Sequence, residues 1–252
     1  MVTDVQHRAP GRCLPFVIVG ASILAQISWI LVPRGDRQAV TTVVVLLFTA
    51  ASLTHSVLEN GFRWTLAFAG IAAGFGLGIE ILGHTTGLPF GVYGYTDELQ
   101  PHIFGVPVIV PLAWLMMAYP SLLLARSLTT RWVVPLAAIG LTTWDLFLDP
   151  QMVGEGYWVW ETTTPALPGI PGIPLQNFGG WMLGTLLLMA LLDRLPRNDV
   201  DLGVPLLLYG WMWIGGIIAN AVFLDRPAVA VIGGLGMALL GLPATLAWWR
   251  GR

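Results

Sequence analysis

The sequence predicts an all-α protein of about eight transmembrane helices, and two observations carry that prediction. Apolar residues make up 56 % of the 252 positions and charged residues only 10 %, against about 25 % charged residues in an average soluble domain. The apolar residues also fall into runs of the length that an α-helix needs to cross a bilayer, about 20 residues. Such a chain has too little polar surface to cover a water-soluble globule.

Eight apolar runs define the predicted helices, at residues 14–32, 39–58, 64–82, 106–125, 132–148, 178–195, 203–224 and 228–249. The first run follows arginines, as a signal peptide does, but it is long and ends without a small-residue cleavage site, so we expect a helix. Only the loops after the third and fifth helices are long. We therefore expect residues 1–252 to form a single integral membrane domain.

The placement of the arginines predicts the orientation in the cell membrane. All 12 basic residues are arginines; nine, including Arg8 and Arg252, fall on the N-terminal side of the helices and three on the other. The positive-inside rule then places both termini in the cytoplasm and both long loops outside it. A net charge of −2 argues against a nucleic-acid partner, and the single cysteine, Cys13, excludes an intrachain disulfide.

Four ionisable residues near the ends of two predicted helices are the candidate catalytic groups. Glu80 and His84 are four apart in "GIEILGHTTG", and Asp145 and Asp149 are four apart in "TTWDLFLDPQ". A spacing of four puts each pair on one helix face, and ionisable groups within membrane helices usually serve a function. We expect Pro150 to stop the fifth helix, because proline disfavours helical geometry at the preceding residue.

Other polar residues reach the same predicted depth. Gln176 and Asn177 begin the sixth helix in "PLQNFGGW", and Asn220 lies towards the end of the seventh. Acidic residues at loop positions more often are merely solvated, which is what we expect of Asp97, Glu98, Glu155, Glu161 and Asp225.

The two long loops resemble each other, which predicts a degenerate internal repeat. A shift of 65 positions pairs Glu80 with Asp145, His84 with Asp149, Tyr93 with Trp158, and Tyr95 with Trp160. After a small insertion, the "GVP" at 105–107 meets the "GIP" at 172–174. Both copies would run in the same direction, as parallel repeats do in some membrane proteins, so both acidic pairs would face one cavity.

Aromatic side chains crowd these loops, which are also rich in glycine and proline. The rings can form an interfacial belt or line a cavity beneath irregular or re-entrant loop segments buried in protein. On the second interpretation, the candidate substrate-binding residues are Tyr93, Tyr95, Trp144, Tyr157, Trp158, Trp160, Asn177 and Trp181.

Buried carboxyl groups among aromatic rings suit acid-catalysed alkene chemistry. A carboxyl group kept neutral by desolvation acts as a general acid, aromatic faces stabilise a carbocation, and a second carboxylate or histidine activates water or removes a proton. The outcome is hydration or cyclisation of an isoprenoid end group without a cofactor. The four histidines are scattered, so a di-iron or other metal centre is not favoured.

Three segments, "GIEILGHTTGLPFGVYGYTDELQPHIFGVPVIVPLAWLMMAYP", "WDLFLDPQMVGEGYWVWE" and "GIPLQNFGGW", resemble the membrane-type carotenoid 1,2-hydratases. That family includes γ-carotene 1′-hydroxylase and bisanhydrobacterioruberin hydratase, and the resemblance covers residues 78–181. It implies a hydro-lyase that adds water to the terminal 1,2 double bond of an acyclic C40 or C50 carotenoid, giving a tertiary alcohol. Membrane lipid would surround the substrate, and other carotenoid biosynthesis enzymes are potential partners.

The corresponding mechanism assigns a role to each candidate catalytic residue. Asp145 or Asp149 protonates C2, and the loop aromatics hold the cation at C1. Glu80, oriented by His84, activates the attacking water, and Asn177 positions that water or an acid.

Three other functions remain open at this point. A carotenoid cyclase would use the same proton transfer but exclude water. A small transporter would have acidic residues spread along a path through the bilayer, whereas here they gather at one end of the helices. A structural subunit that docks a carotenoid enzyme is the third.

Overall fold

The computed structural model describes residues 10–251 and is mostly helical, which confirms the predicted fold class. Within that range, eight helices are long and apolar enough to cross a membrane. They are α1 (Leu14–Leu31), α2 (Arg37–Asn60), α3 (Phe62–Thr86), α4 (Ile109–Leu128), α5 (Val133–Glu155), α6 (Leu175–Leu192), α7 (Gly203–Ile218) and α8 (Pro227–Arg250). Two arginines of the orientation argument, Arg8 and Arg252, lie outside the described residues, so the orientation stays a prediction.

The prediction that Pro150 ends the fifth helix is wrong. Helix α5 continues to Glu155 and ends at Gly156, whose φ of +79° is the left-handed conformation that glycine adopts readily. Proline lacks the N–H group that would bond four residues back, so Pro150 interrupts one helical hydrogen bond without unwinding the next turn. Asp149 consequently stays in helical geometry on the same face as Asp145.

The continued helix also changes the surroundings of Glu155, which was expected to be solvated. Its side chain is only 4 % exposed and accepts a hydrogen bond of 2.9 Å from Arg37 at the start of α2. The Arg37 guanidinium lies 4.2 Å from the ring centre of Trp29. The last turn of α5 therefore anchors α2 through an ion pair.

Both long loops contain short strands, where irregular segments were expected. The strands are β1 (Tyr93–Tyr95), β2 (His102–Ile103), β3 (Val106–Pro107), β4 (Trp158–Trp160), β5 (Ala166–Leu167) and β6 (Ile170–Pro174). They form three antiparallel pairs, β1 with β4, β2 with β3 and β5 with β6. Because β3 occupies the first positions of the fourth apolar run, α4 begins later than predicted, at Ile109. Helix α6 begins directly after β6, at Leu175, three residues earlier than the sixth apolar run predicted.

The element order supports the predicted internal repeat. Each copy consists of a helix, a strand, a hairpin and a second helix, first from α3 to α4 and then from α5 to α6. In the β1–β4 pair, Gly94 lies opposite Val159, which places Tyr93 and Trp158 at equivalent positions about a local twofold axis. One antiparallel pair thus joins the two copies.

Helix α4 forms the centre of the bundle. Nearly all of its side chains are buried, and it packs against α2, α3, α5, α7 and α8. Helices α1 and α7 bury few side chains and expose apolar ones, including Leu24, Leu31, Ile214 and Ile218. Those two helices therefore form an apolar outer wall beside the packed centre.

Candidate active site

A cavity of about 450 Å³ lies inside the bundle, beneath the paired loops. Residues from α1 to α7 and from β1 and β4 line it, and its walls are mostly apolar. Glu80 and Asp149 are the acidic side chains in its lining. The two helix ends chosen from the sequence therefore contribute to one cavity.

Glu80 is buried near the end of α3 and accepts hydrogen bonds from three side chains. The hydroxyl groups of Tyr93 and Tyr95 donate to Oε2 at 2.5 and 2.7 Å. The indole N–H of Trp114 donates to Oε1 at 2.9 Å. Three donors satisfy most of the hydrogen-bonding capacity of this buried carboxyl group, so β1 and α4 together fix its orientation.

Tyr93 and Tyr95 keep their protons because both phenol groups are buried beside Glu80. Burial raises the pKa of both phenols above its ordinary value, and the nearby Glu80 carboxylate raises each pKa further. A phenol that keeps its proton can donate it to a carboxyl oxygen of Glu80. The two tyrosines and Glu80 thus form a fixed hydrogen-bonded cluster at the cavity wall.

Asp145 and Asp149 form a second carboxyl centre on α5, held by the sixth helix. The side-chain N–H groups of Asn177 donate to Oδ2 of Asp145 at 3.2 Å and to Oδ2 of Asp149. The indole N–H of Trp158 donates to Oδ1 of Asp149 at 3.2 Å. Asp149 lines the cavity, whereas Asp145 is fully buried behind it.

The strand pair connects the two carboxyl centres. Tyr95, which donates to Glu80, packs edge-on against Trp158, which donates to Asp149; their ring centres are 5.7 Å apart. The conformation of the two loops therefore fixes the positions of both Glu80 and Asp149.

Aromatic rings enclose the polar end of the cavity. Trp114 and Trp181 stack in parallel with ring centres 4.2 Å apart, and Trp144 meets Trp181 edge-on at 6.4 Å. Trp160 packs against Tyr93 at 5.6 Å. These rings are buried in the protein, so they line a cavity and do not form a lipid-facing belt.

Three polar or aromatic candidates lie away from this arrangement. His84 is beyond the cavity lining, with its ring centre 6.2 Å from that of Tyr95. The donors that orient Glu80 are thus the two tyrosines and Trp114, where the sequence had suggested His84. Tyr157 is buried behind the lining, and Gln176 is exposed.

Trp114 is the contact that sequence reasoning missed. It lies within an apolar run, and no polar neighbour in the sequence marks it. The repeat contained the signal, because the 67-residue offset between the "GVP" and "GIP" motifs pairs Trp114 with Trp181, and these two rings stack on each other.

The described residues also bear on metal binding. Within residues 10–251, no three His, Cys, Asp or Glu side chains come together as they would around a metal ion. The polar groups of the cavity are carboxyl, amide, phenol and indole groups, which suit proton transfer and hydrogen bonding.

Eight candidate membrane spans and buried carboxyl groups define a multi-pass membrane protein with a candidate acid–base site inside the bundle. The family model described as "Carotenoid biosynthesis protein" matches residues 40–241. The chain belongs to this family, which confirms the resemblance seen in the sequence.

One curated relative matches part of the chain. It is a bisanhydrobacterioruberin hydratase from Haloarcula japonica, 35 % identical over 128 residues, which represent 47 % of this chain and 41 % of the relative. The chain thus matches less than half the length of that relative. No solved structure matches the chain.

Proposed function

We propose that this protein hydrates the terminal 1,2 double bond of an acyclic carotenoid, through a tertiary carbocation. The observation that carries the proposal is a pair of carboxyl centres in a carotenoid biosynthesis protein, which present Glu80 and Asp149 to one aromatic-walled cavity. The partial match to a carotenoid hydratase supports the same reaction.

Asp149 is the proposed proton donor. Two carboxylates bonded to the same amide nitrogen of Asn177 repel each other, so the pair holds one proton between them. Asp149 faces the cavity and transfers that proton to C2 of the alkene. The positive charge develops at C1, where two methyl groups and the aromatic faces of the cavity stabilise it.

Glu80 is the proposed general base. Three hydrogen bonds favour its carboxylate form, which is the form that takes a proton from water. The water oxygen bonds to C1 while one water proton passes to Glu80. Return of that proton to the aspartate pair completes the cycle, and the sum is alkene plus water giving a tertiary alcohol.

The carotenoid would reach these groups from the bilayer between α1 and α7. Four residues of α1, α7 and the turn that follows α7 line the cavity and are also exposed on the outer surface: Ile27, Leu31, Ile218 and Phe223. A polyene is soluble in lipid and not in water, so a lateral opening lets the end group enter while the remaining chain stays among lipids. Gln26 bonds to Trp211 and Met212 beside this opening.

Pigment analysis tests the function. The chain is expressed in cells that make lycopene and in cells that make an acyclic C50 carotenoid, and pigments are compared by chromatography and mass spectrometry. We expect products heavier by one water per modified end. An isomer of unchanged mass would mean cyclisation, and unchanged pigments with the protein present in the membrane would contradict both enzyme functions.

The same cells test the membrane assignment. We propose that the chain is one multi-pass domain in the cell membrane, with both termini in the cytoplasm. Extraction that requires detergent, and resists high salt and alkali, is the result expected of such a domain.

A further inference from the structure

Asn220 is a buried polar side chain of the cavity wall that has no role in the hydration mechanism proposed for Asp149 and Glu80. It lies in a π-helical turn, Ala219–Phe223, that follows α7. Its side chain is 2 % exposed and lines the cavity. Such π-turns are rare and often occur at functional sites.

Only half of the Asn220 amide is bonded. Its Nδ2 donates to the carbonyl of Gly216 at 2.9 Å. Because a carbonyl only accepts, the atom facing it must be the nitrogen. Among the residues that the structure describes, no donor contacts the remaining oxygen, Oδ1. Leaving a buried acceptor without a donor is unfavourable, and native proteins do so rarely.

The surroundings restrict what can donate to this oxygen. Neighbouring cavity residues of the same segment are apolar, among them Ile218, Phe223 and Leu224. A carotenoid end group before reaction has no O–H or N–H group. The donor of suitable size that the hydration consumes is water.

We propose that Oδ1 of Asn220 binds the water that captures the carbocation, so that Asn220 is a positioning residue; this inference rests on the proposed hydratase function. The water donates one O–H to Asn220. Its oxygen lone pair then forms the bond to C1, and its other proton passes to the proposed base, Glu80. One water is consumed for each alcohol formed, and no further reactant is needed.

Whether the cation captures water or loses a proton shows whether this water is held at C1. If water is not held at C1, the cation instead loses a proton from C2 or from a methyl group and becomes an alkene again. In D2O the proton delivered to C2 is deuterium, so this return leaves deuterium in the recovered alkene. The ratio of alcohol to deuterated alkene therefore measures water capture separately from protonation.

The experiment measures this ratio with membranes in D2O containing the wild type, Asn220→Leu, Asn220→Ala, Asn220→Asp or Asn198→Leu. Both apolar variants should lower the ratio by about tenfold, the effect of losing one hydrogen bond between neutral groups. Asn220→Asp keeps an acceptor and should stay nearer to the wild type. Asn198 is exposed and bonds to Asn60, so Asn198→Leu should leave the ratio unchanged.

The outcomes separate this inference from the function on which it rests. A wild type that makes neither alcohol nor deuterated alkene contradicts the hydratase function itself. A wild type that makes alcohol, with an unchanged ratio in whichever apolar variant accumulates in the membrane, overturns the role of Asn220. A fall in total turnover with an unchanged ratio would indicate a structural role only and would overturn it equally.

Discussion

Replacing Asp149 with asparagine should reduce hydration more than the same replacement of Asp145, although the two residues are one helical turn apart. Asp149 lines the cavity and Asp145 lies behind it. An amide at 149 is similar in size and can still accept the hydrogen bond from Trp158, although it loses the one from Asn177. It cannot deliver a proton to the alkene.

The two magnitudes follow from these different positions. Loss of a general acid reduces the rate by about 10²–10⁴-fold, which is the effect expected of Asp149→Asn. Asp145 acts through its hydrogen bond to Asn177 and through the shared proton. A hydrogen bond to a charged group contributes about 1.5–3 kcal/mol, so Asp145→Asn should cost roughly 10- to 150-fold.

Initial rates of alcohol formation in membranes, normalised to the amount of protein, measure both effects. Asp97→Asn is the matched control, since Asp97 is exposed and bonds to Gln100; it should retain wild-type activity. Equal losses at 145 and 149, or the larger loss at 145, would refute the assignment of Asp149 as the donor. Full activity of Asp149→Asn would refute the acid mechanism itself.

Three further predictions concern the base, the ion pair and the topology. Tyr93→Phe and Tyr95→Phe each remove one donor to Glu80, so each should lower the hydration rate by roughly 10- to 150-fold; wild-type rates in both would show that Glu80 needs neither. Arg37→Gln removes the cation that is hydrogen-bonded to the buried Glu155 and should destabilise the protein by about 3–5 kcal/mol. Arg197→Gln, at a more exposed pair, should change stability by about 1 kcal/mol or less. Thermal aggregation in detergent compares the two variants, and similar effects would contradict the burial argument. A reporter protein that works only in the cytoplasm should be active when it is fused to the C-terminus. Activity of a fused reporter that works only in the periplasm would reverse the predicted orientation.

Much of the fold could be predicted from the sequence because bilayer thickness imposes a simple rule. Every span needs a long apolar run, and each of the eight runs corresponds to a helix. The helix ends were less predictable. Proline disfavours a helix locally, but only the neighbouring contacts decide whether the chain resumes it, as it does between Pro150 and Glu155.

The candidate site was predictable where it depended on local spacing. Residues four apart share a helix face, so Asp145 and Asp149 could be paired from the sequence. Glu80 and His84 obey the same rule, yet the partners of Glu80 come from β1 and α4. No local pattern specifies which distant donor reaches a buried carboxylate.

The sequence was enough to predict a protein with several membrane spans that resembles carotenoid biosynthesis proteins and has its candidate catalytic carboxyl groups at one end of two helices. The length of apolar runs, the four-residue spacing and the order of motifs are local properties, so they can be read from the sequence. The fold was needed to show that Asp149 faces the cavity with Asp145 behind it, that Trp114 bonds to Glu80, and that no described residue donates to Oδ1 of Asn220. These facts depend on how helices rotate and on which side chains meet across the bundle, because burial and hydrogen-bond partnership are properties of packing between distant segments.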